Sequence, residues 1–78
     1  MNTLTIKELP PPNLRASSDV QKFWQAQMNG HFSNPGAHVT VTLPRKGPDE
    51  YLQATVEAAL ALQRAMGPRR FHFTDNLG

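Results

Sequence analysis

The chain has 78 residues, no cysteine, and eight Lys/Arg against six Asp/Glu, for a net charge of +2. That length predicts one domain over residues 1–78 with one modest core and argues against a deep substrate cavity under a second layer. The missing cysteine excludes disulfides and thiolate zinc sites, and the slight positive charge is a weak nucleic-acid signal. No apolar run approaches the roughly 20 residues of a membrane span, and the N-terminus lacks the basic start and apolar stretch of a secretory signal. The expectation is a soluble, unexported, cytoplasmic protein.

Thr3 to Leu9 alternates, with Leu4 and Ile6 on one side and Thr3, Thr5 and Lys7 on the other, which is the period of a half-buried strand. Pro10, Pro11 and Pro12 end it as a stiff connector, because they lack amide donors and favour an extended chain. Ser18 to Gly30 reads as a short helix, opened by a capping box of Ser18 and Gln21 and closed by Asn29-Gly30. Val20, Phe23, Trp24 and Met28 share one stripe of that helix, which is expected to dock on the core. The Phe-Trp pair is also the kind of anchor that partner interfaces use.

Asn34-Pro35-Gly36 suits a type II turn. His38 to Leu43 alternates strictly, Val39, Val41 and Leu43 against His38, Thr40 and Thr42, and predicts a strand with one packed and one polar face. A long helix follows, with Pro48 at its first position, Asp49 and Glu50 at its positive dipole end and Gly67-Pro68 as its stop. Its main apolar side is expected to be Leu52, Val56, Ala59, Leu60 and Met66, widened by Tyr51, Ala58, Leu62 and Ala65. Glu50, Gln53, Glu57 and Arg64 form the ridge made for water. From Arg69 the chain alternates once more, with Phe71 and Phe73 opposed to Arg70, His72 and Thr74.

This β-α-β-α-β order predicts an α/β (α+β) fold, a three-stranded sheet with two helices on one face and a polar face opposite. Short joints around the long helix make the second and third strands parallel through a right-handed crossover. The first strand has no assigned place: beside either of the others or between them.

The loop LPRKGPDEY, residues 43–51, combines a strand end, Arg45, Lys46 and a helix start, a setting in which phosphates are often held. Its spacing does not match GxxxxGK[ST], and Asp49 and Glu50 compete with any anion, so it reads as a helix start. Arg69-Arg70 falls at the opposite end of a parallel unit, about 15–20 Å away, which makes two basic patches rather than one. The polar face, with Lys7, His38, Thr40, Thr42, Arg70, His72 and Thr74, has a character that could follow a phosphate backbone. Phe71 and Phe73 have the opposite parity and offer it no stacking platform. His31, His38 and His72 lack metal-ligand spacing, so neither a metal nor a cofactor is expected. Ser17, Ser18 and Ser33 lack a nucleophile elbow, and Asp75 follows His72 near the chain end, so no enzyme is expected.

By elimination the chain reads as a small non-enzymatic protein-binding module with its surface to offer. The candidate partner-binding residues are Trp24, Arg45, Lys46, Arg69, Arg70 and His72. Sheet edges suit a homodimer or strand addition to a protein partner. In compactness, lack of cysteine and absence of motifs the chain resembles small phage-encoded inhibitors of bacterial defence or transcription complexes, including anti-CRISPR proteins. The resemblance is one of type, carries no binding residues, and implies a large nucleic-acid-handling complex as partner, blocked sterically or allosterically. The alternatives are a nucleic-acid-binding protein using the polar and basic sheet face, and a structural subunit of a homo-oligomeric assembly.

Overall fold

The alternating segments form β1 (Thr3–Ile6), β2 (His38–Leu43) and β3 (Phe71–Asp75), and the two amphipathic segments form α1 (Ser17–Met28) and α2 (Asp49–Met66). The computed structural model describes residues 3–31 and 36–75, so the turn expected at Asn34-Pro35 lies outside the described residues. The strands lie in the order β1-β2-β3 and every pair is parallel. β1 therefore takes the outer position beside β2. Two right-handed crossovers that advance the same way across a sheet put both helices on the same face.

The register fixes which side chains face the helices. Leu4 pairs with Val39 and Ile6 with Val41, while Val39 pairs with Phe71 and Val41 with Phe73. This apolar parity forms the core with Val20, Trp24 and Met28 of α1 and Ala54, Ala58, Ala59 and Leu62 of α2. Trp24 is 0% exposed, which corrects its candidacy as a partner contact: the folded surface does not present it. The stripe of α1 packs as its spacing predicts, with Phe23 half-buried at its flank.

Several local details differ from the sequence reading. β1 stops at Ile6 rather than Leu9; Lys7 and Glu8 are exposed, and the chain leaves the sheet to bury Pro10. The Pro10 carbonyl accepts a 2.6 Å hydrogen bond from the Tyr51 hydroxyl in the first turn of α2, which explains where this connector goes. The capping box at Ser18 is not used. Ala16 occupies the N-cap without a side-chain bond, and its carbonyl accepts the amides of Asp19 and Val20. Asn29 does take the left-handed stop expected of it, with φ 44°. Pro48 sits one position earlier than predicted, at the N-cap with ψ 147°, because its fixed φ is compatible with an extended residue as well as a helical one.

The largest correction concerns α2. Its buried side is Tyr51, Ala54, Thr55, Ala58, Ala59 and Leu62, whereas Val56 and Leu60 are 43% and 42% exposed. Hydrophobicity alone favours the larger side chains for the core. Packing favours the alanines, whose small size lets α2 approach its neighbours closely. Thr55 is tolerated there because its hydroxyl donates to the Leu52 carbonyl at 2.7 Å.

Trp24→Ala is expected to cost about 3–5 kcal/mol, a large part of the roughly 4–12 kcal/mol available to a chain of this size. Trp24→Phe should cost markedly less, since it keeps an aromatic ring in the core and removes an indole Nε1 that has no hydrogen-bond partner. Chemical denaturation of both variants checks the order, and equal losses would show that the indole is not packed as described.

Burial raises the Tyr51 pKa above its ordinary value of 10.0. The folded state then holds this proton more tightly than the unfolded chain. Its contribution is whole below about pH 10 and is lost as pH rises through the folded-state value. Tyr51→Phe should cost about 1–2 kcal/mol at neutral pH by orphaning the Pro10 carbonyl. In denaturation series the advantage of wild type over the variant should shrink above about pH 10; a constant gap would contradict the assignment.

Candidate functional site

The strand parity that does not enter the core makes a face of its own. Thr3 pairs with His38, Thr5 with Thr40, Thr40 with His72 and Thr42 with Thr74, so these residues stand on the side away from the helices. Neighbouring parallel strands lie about 4.8 Å apart, which sets threonine beside threonine or histidine in cross-strand rows. Thr3, Thr5, His72 and Thr74 are exposed, while His38, Thr40 and Thr42 on the central strand are half-buried between their neighbours. Every strand position on this side among the described residues is threonine or histidine. Lys7 follows the end of β1 and Arg70 precedes β3, so the cations border the face instead of covering it.

This composition gives the face a definite chemistry. Each threonine presents a methyl group and a hydroxyl on a side chain whose branching at Cβ restricts its rotamers. A contacting surface therefore meets both apolar area and hydrogen-bonding groups, with little side-chain entropy to lose on docking. Parallel sheets are almost always covered on both faces, whereas here the helices cover only one.

The N-terminal rim of the sheet gathers the histidines. His31 Nε2 donates to the His38 carbonyl at 3.1 Å, and His38 Nδ1 donates to the Arg69 carbonyl at 2.6 Å. His72 Nε2 donates to that same Arg69 carbonyl at 3.1 Å. Because a carbonyl only accepts, each of these ring nitrogens carries a proton. The His38 and His72 rings stack with centroids 6.1 Å apart. Arg70 adds a bond from Nε to the Ala37 carbonyl at 3.2 Å, and its own carbonyl accepts the Val39 amide at 2.8 Å. These contacts tie the turn after α2 to the start of β2. Among the described residues no group of three or more His, Asp or Glu is arranged to hold a metal ion.

The opposite rim holds Arg45 and Lys46, both exposed in the loop between β2 and α2. Parallel pairing of β2 with β3 keeps them at the far end of the sheet from Arg69 and Arg70. Of the candidate residues, the fold thus brings Arg69, Arg70 and His72 together, leaves Arg45 and Lys46 apart, and withdraws Trp24 into the core. The glycine of the basic loop has a packing role. Gly47 has φ +143°, and a Cβ there would lie 2.7 Å from Tyr51 Cδ2, so the ring of Tyr51 occupies the space that a side chain would need.

Thr3 and Thr5 were missing from the polar face as read from sequence, although their parity was visible. They share the parity of Lys7, which the sequence reading does place on that face; β1 ends at Ile6, so the two threonines and not Lys7 are its strand positions there. No protein-family model matches the chain, and neither does any curated protein or solved structure. No helix among the described residues is long and apolar enough to cross a membrane.

Gly47→Ala should destabilise the fold by on the order of 1–3 kcal/mol, from backbone strain at positive φ together with displacement of Tyr51. Pairing it with Tyr51→Ala should recover part of the loss by removing the clash, and thermal unfolding of the single and double variants would reveal strict additivity if the ring were not involved.

Proposed function

We propose that this chain is a small protein-binding module that acts without catalysis and docks its partner on the uncovered threonine-histidine face of the sheet. One observation carries the reading: among the described residues neither helix covers the second face of a parallel sheet, and the strand positions of that face bear no Lys, Arg, Asp or Glu. Protein interfaces have the same plan, with charge depleted at the centre and polar groups at the rim. The partner in this reading is a protein whose complementary surface is of mixed polarity.

The same layout weighs against nucleic acid as the first ligand. Phosphate tracking requires cations along the path, and here Arg45 and Lys46 lie at one rim while Arg69 and Arg70 lie at the other. Phe71 and Phe73 point to the helix side, where Phe71 is fully buried, so they give bases no platform on the open face. The resemblance in type to phage-encoded inhibitors extends the proposal to a partner class. That class is a bacterial nucleic-acid-handling complex, blocked when the module covers part of its surface in the cytoplasm.

The test is a tagged pull-down from nuclease-treated bacterial lysate, read by mass spectrometry, with wild type, Thr40→Arg and Thr5→Arg in parallel. A stoichiometric protein retained by wild type, reduced about 100-fold or more by folded Thr40→Arg on the central strand and to a smaller extent by Thr5→Arg on the edge strand, is the expected result, since the first buries a new charge at the centre of the contact. Retention that ignores both substitutions removes the face from consideration. Recovery that depends on intact nucleic acid overturns the proposal in favour of direct nucleic-acid binding.

A further inference from the structure

The solvent side of α2 carries a seam that its own core does not use. Asp49, Gln53, Val56, Leu60 and Arg64 recur every three or four residues and therefore share one stripe of the helix. All are exposed, and the stripe lies opposite the buried Ala54, Ala58 and Leu62. Val56 and Leu60, at its middle, are the exposed large hydrophobic residues among those described.

The ends of the stripe differ in charge. Asp49, with Glu50 beside it, occupies the first turn, and Arg64 occupies the last. Laid antiparallel on a copy of itself, α2 brings Asp49 of each protomer opposite Arg64 of the other. The same register sets Leu60 against Gln53 and places the two Val56 side chains side by side near the two-fold axis. A parallel arrangement would set Asp49 against Asp49 and Arg64 against Arg64. Two-fold interfaces require a patch complementary to itself, and this stripe meets that condition in the opposite charges of its ends, with the exposed Glu57 at its flank. Antiparallel pairing also opposes the two helix dipoles favourably.

We propose that a second copy of this chain packs antiparallel along the outer stripe of α2 to form a two-fold dimer. A contact built on one helix per protomer falls at or below the about 1,200 Å² of the smaller stable interfaces, which places the dimer among the weak associations. Both helix layers lie between the two sheets in this arrangement, and the threonine-histidine faces point outward on opposite sides. Only the consequence that the dimer is bivalent rests on the proposed function, since each outward face would then take a partner.

Sedimentation velocity of the full chain, from about 5 μM to about 1 mM, tests the association. The expected result is a mass that rises with concentration from 8.7 kDa towards twice that value. Leu60→Glu should remain monomeric across the range with an unchanged melting temperature, because its side chain lies outside the core. Asp49→Arg and Arg64→Asp should each weaken association about tenfold or more, and the double exchange should restore it. Wild type that stays at monomer mass throughout overturns the proposal, as does association that survives Leu60→Glu. Failure of the double exchange to restore association rules out the antiparallel register. Thr40→Arg should leave self-association intact; if it abolishes it, the copies meet through the sheet face instead. Loss of partner capture with an intact dimer would count against the binding face alone.

Discussion

All strands run the same way, so each joint must carry the chain back along the sheet before the next strand begins. A right-handed return covers one particular side, and two successive returns in the same direction cover that side twice. With strand order β1-β2-β3 there is no reversal to send a helix to the other face. The packed face and the open face are consequences of this one constraint. Its energetic expression is the burial of Val39, Val41 and Phe71 together with Trp24, without which neither helix has a reason to lie where it does.

The connectors are shaped by the same geometry. The segment after β1 passes near the start of α2 and is held there by the Tyr51 bond to Pro10, while Tyr51 in turn requires Gly47 to have no side chain. A basic loop that invites comparison with phosphate sites is therefore organised around an aromatic ring. At the other rim the histidines act as pins: His38 and His72 converge on one carbonyl and fix the turn that feeds β3. The rims are thus tied by local contacts, while the broad face between them keeps a simple repeating surface of threonine and histidine.

The two outer surfaces of the molecule differ in character, which suggests a division of labour. The sheet face is uncharged at its strand positions. The helix side is narrow, with an apolar middle and ends of opposite charge. In the proposed assembly the second surface joins copies and the first remains available to a partner. Neither surface competes with the core for its residues, because strand parity and helix periodicity have already divided the side chains between inside and outside.

The amino-acid sequence by itself determined the order of the elements and the two-sidedness of the strands and of α1. Strict alternation in HVTVTL assigned every residue of β2 to its face, and the four-residue steps from Val20 to Trp24 to Met28 identified the buried stripe of α1. These patterns are legible because period two and period 3.6 are properties of the backbone alone. Tertiary structure decided what depends on distance between segments. It placed β1 beside β2 with Thr3 opposite His38 and Thr5 opposite Thr40, and joined Tyr51 to Pro10 across the chain. It also turned α2 so that alanines face inward and Val56 and Leu60 outward. Composition ranks side chains by their preference for leaving water, but the spacing between packed layers selects by size, and that spacing exists only after the layers have met.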